Sequence, residues 1–254
     1  MIKKMVLILF LITSFTFAAD NYWVKPMKEL HQKFAGKKGF VALYGDSITY
    51  AKEFWLPIKE GVKNCKDIDV KILVSYISED SWALKKGVKN GNYPGWTIKN
   101  GLSVIDACLK KHNPEVAIVM FGANDVQFGS PSETGYDKDM RTFVQKCLDN
   151  YSIVLISTVP PWKEHLDGIK HYNDEIVKIA KEKGLPVIEY YEEIMKRRPK
   201  DWNGILVSGV HPTWVKETGN DFSEENLKNS GYALRSYVTL KKYDEVYEKV
   251  LKTK

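Results

Sequence analysis

Phe40-Val41-Ala42-Leu43-Tyr44-Gly45-Asp46-Ser47 joins a short apolar run to a tight turn, and a helical stretch begins shortly afterwards. Similar apolar runs recur along the chain at residues 40–44, 70–74, 116–121, 153–156 and 187–188. Short β-branched runs that alternate with amphipathic helices are typical of a parallel sheet covered on both faces. The sequence therefore predicts a three-layer α/β/α sandwich with a parallel sheet of about five strands.

The segments between these runs carry helical patterns. Ile98, Leu102, Ile105 and Leu109 repeat at helical spacing, and comparable patterns occupy residues 140–148, 169–180 and 243–251. Right-handed crossovers bring the loops after the strands to one edge of the sheet, where open α/β sheets gather their sites. We therefore expect catalytic residues directly after apolar runs.

The N-terminus has the features of a secretory signal peptide. Lys3 and Lys4 precede an uncharged apolar run, and Ala18 and Ala19 provide small residues for cleavage. We predict a signal peptide over residues 1–19 and a single domain over residues 20–254, secreted or periplasmic, with no membrane span after cleavage. An uncleaved N-terminal anchor is the alternative.

The charge pattern argues against a nucleic-acid partner. Removing residues 1–19 lowers the formal charge from +6 to about +4, and the lysines are spread among acids rather than clustered. This pattern indicates an ordinary solvated surface and no nucleic-acid partner. The pattern leaves the oligomeric state open.

The sequence also indicates neither a metal nor a cofactor. Three cysteines are too few for a disulfide framework, and Cys108 and Cys147 are predicted on apolar helix faces as inert buried thiols. There is no G-x-G-x-x-G after a strand, no Walker loop and no His pair at metal-ligand spacing on one helix.

Ser47 is the first candidate for chemistry, since Gly45-Asp46-Ser47 follows the first strand directly. A Ser near a helix N-terminus lies beside free backbone N–H groups that can hold an oxyanion. An isolated Gly-Asp-Ser is more often only a helix cap. Further candidate residues at the same sheet edge favour a catalytic role for Ser47 over a helix cap alone.

Two further motifs supply candidate hydrogen-bond donors. Gly122-Ala123-Asn124-Asp125 follows the buried run 116–121, and an Asn amide there can donate to a developing oxyanion. Gly95, ahead of a helix starting near Ile98, offers a backbone N–H. Taken separately, both motifs are also compatible with ordinary turns.

His211, in Gly209-Val210-His211-Pro212, is the candidate general base. The other four histidines do not follow an apolar strand so directly, and Pro212 stiffens the loop that holds His211. The alternative for this motif alone is a surface His in a turn.

In this order, the motifs resemble those of the SGNH hydrolases, also called the GDSL-like esterase and lipase group. The resemblance spans residues from about 39 to 213 and implies a flavodoxin-like fold. It implies Ser47 as nucleophile, His211 as its base, and an oxyanion hole made by the Ser47 N–H, the Gly95 N–H and the Asn124 amide. Asp125 is expected to be structural.

One position departs from the family pattern, in which an Asp stands three residues before the His. Here that position is Ser208. A carboxylate that holds the imidazole tautomer can be worth about 10⁴ in rate. Ser208 or a backbone carbonyl could orient His211, a carboxylate such as Asp201, Glu217 or Asp221 could substitute, or the enzyme could be slow or inactive.

Several tryptophans lie close to these motifs in sequence, namely Trp96, Trp162, Trp202 and Trp214. Aromatic platforms around a polar centre suit sugar rings, although large aromatics more often serve the core. We predict an exported esterase that removes acetyl groups from carbohydrate, with Trp96 and Trp214 lining the substrate. The alternatives are a non-catalytic carbohydrate-binding protein on the same fold, or a lipase or lysophospholipase of the same family.

Overall fold

The structure is a computed structural model that describes residues 21–82, 87–128 and 135–252. The predicted signal peptide lies outside the described residues. Within them, a parallel sheet has its four strands in chain order: β1 (Lys37–Gly45), β2 (Pro114–Met120), β3 (Ile153–Ser157) and β4 (Val187–Ile188). Strands β2 and β3 are fully buried, which accounts for their continuous apolar runs.

Helices flank this sheet and give the predicted three-layer architecture. They are α1 (Val24–His31), α2 (Ser47–Tyr50), α3 (Val70–Tyr76), α4 (Glu79–Trp82), α5 (Ile98–His112), α6 (Ala123–Gln127), α7 (Tyr136–Asp149), α8 (Leu166–Lys183), α9 (Tyr190–Arg197), α10 (Glu224–Asn229) and α11 (Gly231–Val246). A π turn, Tyr247–Leu251, continues α11. Cys108 and Cys147 are buried free thiols, as their positions on α5 and α7 predict.

The strand predicted at residues 70–74 is wrong, because this segment is helix α3. The Asp69 carboxylate caps the helix by accepting a hydrogen bond from Ile72 N at 3.3 Å. Leu73 is buried whereas Ile72 is 42% exposed, as expected for a helix with one face on the core. The apolar run satisfies helical as well as strand periodicity, and the cap decides between them.

Strand β1 is consequently an edge strand of the sheet, and side chains satisfy part of its open edge. Ser81 Oγ accepts a hydrogen bond from Val41 N at 2.9 Å, and Asn92 Nδ2 donates to Leu43 O at 2.8 Å. The Gly45 N–H donates to Gly91 O at 3.2 Å. These bonds place the segment around Gly91 beside the turn that follows β1.

His211 belongs to a separate antiparallel hairpin formed by β5 (Leu206–Ser208) and β6 (His211–Pro212). This hairpin is fixed to the start of α11. Tyr232 N donates to Thr213 O at 3.1 Å, and Pro212 packs so closely on Gly231 that a Cβ there would lie 2.7 Å from the proline ring. The hairpin that carries His211 is therefore held by the C-terminal helix rather than by the main sheet.

In the described ranges 21–82, 87–128 and 135–252, no helix is both long and apolar enough to cross a bilayer. The same part of the chain contains no group of three or more His, Cys, Asp or Glu side chains arranged to bind a metal ion.

Candidate active site

Ser47 lies at the carboxyl end of β1, where it is the first residue of α2. Asp46 is the N-cap, and its Oδ1 accepts a hydrogen bond from Ile48 N at 2.9 Å. Gly45 is required by close packing, since a Cβ there would lie 2.6 Å from Met120 O. The turn thus presents the half-buried Ser47 at the sheet edge.

Ser47 Oγ lies 2.9 Å from His211 Nε2, although 164 residues separate the two in the chain. This distance is within the range of a nucleophile and its general base. The histidine is exposed, and the adjoining Val210 and Pro212 are buried. Burial of both neighbours fixes the imidazole beside the serine while leaving it open to solvent.

The second ring nitrogen of His211, Nδ1, forms no hydrogen bond with any residue of the described ranges. Ser208 pairs with His211 across the hairpin through the backbone, and its exposed side chain forms no hydrogen bond with the imidazole. Asp201 does not reach His211 either, because its carboxylate is paired with Arg198 on the same stretch of chain.

The other two carboxylates considered from the sequence are also directed elsewhere. Glu217 lies 3.6 Å from Lys216 Nζ, and Asp221 Oδ1 accepts a hydrogen bond from Asn64 Nδ2 at 2.8 Å. The described residues therefore form a Ser-His pair without a third, carboxylate member.

Asn124 follows β2 and lies in α6. Its Nδ2 donates to Trp96 O at 3.0 Å and, more weakly, to Asp46 Oδ2 at 3.4 Å. Gly122 makes the preceding turn with φ of +134°, a conformation that other residues rarely adopt. The structure thus brings Asn124 to the residue immediately before Ser47.

Gly95 lies in the turn before α5, with φ of +78° and open space on the side where a Cβ would be. The backbone of this segment is tied to the turn after β1, because Tyr93 N donates to Gly45 O at 3.2 Å. Gly95 is therefore in the same cluster of loops as Ser47. Its role as an oxyanion donor stays a prediction.

Two buried carboxyl groups lie under this cluster, Asp46 and Asp125. Burial raises the pKa of Asp46 to about 6, opposed by the hydrogen bond from Ile48 N and by the charges of Arg235 and His211. Burial also raises the pKa of Asp125 to about 7. Both oxygens of Asp125 accept from Ile98 N, at 3.1 and 3.2 Å, so Asp125 fixes the start of α5.

Arg235 bonds to the two residues that follow Ser47, although it lies in none of the sequence motifs. Its guanidinium is buried in α11 and donates to Ile48 O at 2.7 Å and to Thr49 Oγ1 at 2.9 Å. The sequence does contain a signal, because Arg235 is the only charged residue between Lys228 and Lys241. A single charge in an apolar helix that must be buried indicates a specific partner.

The tryptophans near the motifs have different surroundings. Trp96 is half-buried with its ring centre 6.0 Å from that of Tyr93, whereas Trp214 is 47% exposed. The ring of Trp162 packs on the hairpin turn, where a Cβ on Gly209 would lie 3.1 Å from it. Trp162 thus supports the hairpin that carries His211, and Trp96 and Trp214 remain the candidates for substrate contact.

The sequence matches a known protein family and resembles characterised relatives. The model of the GDSL-like Lipase/Acylhydrolase family matches residues 43–214, which include Ser47, Gly95, Asn124 and His211. Thioesterase 1/protease 1/lysophospholipase L1 of Escherichia coli K12 is 27% identical over 140 residues. That match covers 52% of this chain and 62% of the relative, so the chain spans less than two thirds of this relative's length.

Solved structures share the fold at low identity. A lipase/acylhydrolase from Enterococcus faecalis superposes with a TM-score of 0.53 at 17% identity, over 81% of this chain and 95% of the other. An acetyl xylan esterase from Geobacillus stearothermophilus gives 0.52 at 15% identity, over 82% and 95% of the two chains.

Proposed function

Because the chain belongs to the GDSL-like lipase and acylhydrolase family, we propose that it is a serine esterase that hydrolyses small acyl esters. Ser47 is the nucleophile and His211 its general base. The observation that carries this proposal is the 2.9 Å hydrogen bond between Ser47 Oγ and His211 Nε2. A Ser hydroxyl is a weak nucleophile at neutral pH, and a base at this distance activates it.

The first half of the reaction transfers the acyl group to the enzyme. His211 Nε2 takes the Ser47 proton as Oγ attacks the ester carbonyl carbon, which gives a tetrahedral oxyanion. The same nitrogen then returns the proton to the departing alcohol oxygen as the C–O bond breaks. Water attacks the acyl-Ser47 ester in the second half, again through His211, and releases the carboxylic acid.

The oxyanion needs donors aimed at the place where charge develops. The Ser47 N–H is suited to this role because the first amides of a helix have no intrahelical acceptor. Asn124 Nδ2 can contribute by exchanging its longer bond, 3.4 Å to Asp46, for one to the oxyanion while it keeps the 3.0 Å bond to Trp96 O.

His211 acts as one half of a dyad in this proposal. For Nε2 to accept the Ser47 proton, the neutral ring must carry its own proton on Nδ1, which forms no hydrogen bond with residues 21–82, 87–128 or 135–252. Because the imidazole is exposed, water can accept from Nδ1. Turnover is then slower than in enzymes with a carboxylate at this position.

The missing carboxylate is also the observation that favours a second candidate, a carbohydrate-binding protein on the same fold that has lost turnover. The short Ser47–His211 bond argues against it, since binding alone gives no reason for that geometry. A serine-reactive fluorophosphonate probe separates the two candidates, with Ser47→Ala as the matched control.

The esterase predicts covalent labelling and hydrolysis of an aryl acetate by the wild-type protein, and loss of both in Ser47→Ala. Thr218→Ala serves as a second control, because Thr218 is a hydroxyl residue whose Oγ1 is bonded to Val215 O. If the wild-type protein takes up no probe at Ser47 and cleaves no aryl acetate, the binding protein becomes the better account.

For the substrate, we propose an acetyl ester on a carbohydrate. Support comes from the exposed Trp214, three residues after His211, and from Trp96, whose carbonyl holds Asn124. A lipase or lysophospholipase is the competing substrate class. Its support is the exposure of Phe128 and Val207, at 67% and 69%, on the segments that carry Asn124 and His211.

A series of aryl esters from acetate to decanoate, assayed beside an acetylated xylan, distinguishes these substrate classes. Deacetylation of the polymer with a preference for acetate supports our proposal, and a preference for long acyl chains supports the lipase. We also propose export by the signal peptide at residues 1–19. Fractionation of cells that express the full chain tests it, and retention in the cytoplasm would contradict it.

A further inference from the structure

Helix α2, which begins with Ser47, is only four residues long. A helix this short has almost no stability of its own, because nucleation is unfavourable and few of its bonds are internal. Its first turn is capped by Asp46, and Ser47 O accepts from Ala51 N at 3.1 Å. The carbonyl of Ile48 has no partner within the helix, and such terminal carbonyls need an external donor.

Arg235 supplies that donor from α11. Its Nη1 lies 2.7 Å from Ile48 O and its Nη2 lies 2.9 Å from Thr49 Oγ1, so the guanidinium bridges two consecutive residues of α2. The guanidinium carbon lies 3.7 Å from the ring centre of Phe54, so this ring stacks on one face of the group. The charge also lies at the C-terminal end of α2, where a cation is favourable.

Arg235 and Asp46 bond to the same residue, since the Ile48 N–H donates to Asp46 Oδ1 and the Ile48 carbonyl accepts from Arg235 Nη1, so the two buried groups lie near each other. The two side chains are 1% and 0% exposed, and burial of an unbalanced charge is strongly unfavourable. Burial raises the pKa of Asp46, and the charge of Arg235 opposes this rise. Burial lowers the pKa of Arg235 to about 10, and the carboxylate of Asp46 opposes this fall. An ionised Asp46 accepts hydrogen bonds from Ile48 N and Asn124 Nδ2.

We propose that Arg235 is a positioning residue for the reaction: its guanidinium fixes the backbone that carries Ser47 and balances the buried Asp46 carboxylate that caps α2. It touches neither substrate nor the reacting atoms. The inference rests on the proposed function for its kinetic consequences, and on the bonds of Asp46 and Arg235 to Ile48 for its electrostatic ones.

Two variants of Arg235 separate the effect of its paired hydrogen bonds to Ile48 O and Thr49 Oγ1 from the effect of its charge. Arg235→Lys keeps a cation but cannot donate to Ile48 O and Thr49 Oγ1 in the same geometry, whereas Arg235→Met removes both. Leu240→Ala is the matched control, since Leu240 is fully buried in the same helix and its truncation lowers stability without altering a charge.

The kinetic readout is kcat and KM for an aryl acetate, measured where all variants are folded. We expect kcat to fall about tenfold in Arg235→Lys and about a hundredfold in Arg235→Met, with KM within about twofold of wild type, because the loss affects the alignment of Ser47. Leu240→Ala should keep the wild-type kcat. If Arg235→Lys keeps it too, or if kcat in all three variants follows stability alone, the positioning role is overturned.

The electrostatic readout is the pKa of Asp46, followed by carboxyl ¹³C NMR, and it does not depend on turnover. Among the residues that the structure describes, the charged or titratable groups near Asp46 are Arg235 and Tyr232 from α11, His211 from β6, Asp125 from α6 and Tyr136 from α7. Arg235→Met should raise the pKa of Asp46 above its wild-type value of about 6, and Arg235→Lys should leave it lower than Arg235→Met does.

An unchanged Asp46 pKa in Arg235→Met would overturn the electrostatic part of the inference. If Arg235→Met does not fold, Arg235→Gln replaces it, since the amide keeps one donor without the charge. A wild-type protein that neither labels at Ser47 nor hydrolyses esters would refute the proposed function, and the Asp46 titration would still decide whether Arg235 balances that carboxylate.

Discussion

Asn124 Nδ2 lies 3.4 Å from Asp46 Oδ2, so a predicted oxyanion donor is hydrogen bonded to the residue that precedes the nucleophile. The bond is longer than the common N–H···O distance of about 3 Å, and it is therefore the weaker of the two that Asn124 donates. This bond links two loops that follow different strands of the sheet. Because it is weak, the Asn124 N–H that makes it can turn to the oxyanion during the reaction.

Replacing Asn124 by Ala should lower kcat for an aryl acetate by about 10²–10³, because one oxyanion donor is lost. The free energy of unfolding should change by only about 1 kcal/mol, since the side chain is half-buried and its bonds are to one carbonyl and one distant carboxylate. Steady-state kinetics and chemical denaturation measure the two effects. A variant that is unfolded would indicate a structural role for Asn124 instead.

Replacing Ser208 by Asp should raise kcat/KM by about tenfold or more. Ser208 pairs with His211 across the hairpin, so a carboxylate there can reach the Nδ1 proton and stabilise the imidazolium. Ser208→Asn is the control, because the amide has the same size without the charge. Equal kinetics for the Asp and Asn variants would show that His211 does not need an acid in this protein.

The buried carboxyl of Asp125 should make stability depend on pH. Its pKa is raised from an ordinary value near 4 to about 7, so between these values the folded state binds the proton more tightly than the unfolded state. Its contribution is therefore stabilising at low pH and is lost as the pH rises from about 4 to 7. Asp125→Asn, which cannot titrate, should remove this part of the pH dependence.

Urea unfolding of the wild-type and Asp125→Asn proteins at pH 4.5 and 7.5 measures this effect. The fall in unfolding free energy between the two pH values should be smaller in the variant. Asp174→Asn, at an exposed position, should leave the fall unchanged. The same fall in the wild-type and Asp125→Asn proteins would mean that Asp125 does not titrate in this range.

Gly45→Ala should destabilise the protein by about 2 kcal/mol or more, since overpacking displaces backbone that cannot yield easily. An added Cβ would lie 2.6 Å from Met120 O, at the end of the neighbouring strand. Gly61→Ala is the matched control, because it has no atom within 4 Å of the added Cβ and carries only the strain of its φ of +92°. Thermal denaturation of both variants checks the difference, and equal melting temperatures would refute the packing argument.

Trp214→Ala should reduce kcat/KM for an acetylated xylan by about tenfold, through loss of one aromatic contact with the sugar, and should leave hydrolysis of a small aryl acetate nearly unchanged. Val215→Ala is the control, as an exposed apolar neighbour without an aromatic ring. An equal loss on both substrates in Trp214→Ala would place Trp214 in the support of His211 rather than in the binding of a glycan.

Much of the fold is predictable from the sequence because it depends on local periodicity. The apolar runs at residues 40–44, 153–156 and 187–188 lie in parallel strands, the run at 116–121 extends one residue beyond β2, and the helical patterns between the runs are helices. The run at residues 70–74 was misassigned for the same reason, since a short apolar segment fits either period. Its cap, Asp69, is a local signal that could have corrected the assignment.

The candidate site is partly predictable as well. Its residues follow strands of a parallel sheet or a late loop, and chain topology alone brings strand ends to one edge. The sequence thus determined the order of the motifs that contain Ser47, Asn124 and His211, together with the architecture that lets them meet.

Only the tertiary structure decided what surrounds those residues. Only packing shows that no carboxylate among the described residues bonds to His211 Nδ1. Packing also brings Arg235 to Ile48 and Thr49, which lie more than 180 residues earlier in the chain. Periodicity and local motifs carry no information on such pairings, because a side chain's direction is fixed by the elements packed around it. Ser47 was therefore identifiable from its motif, whereas the charge that balances its neighbour Asp46 was visible only once α11 lay against α2.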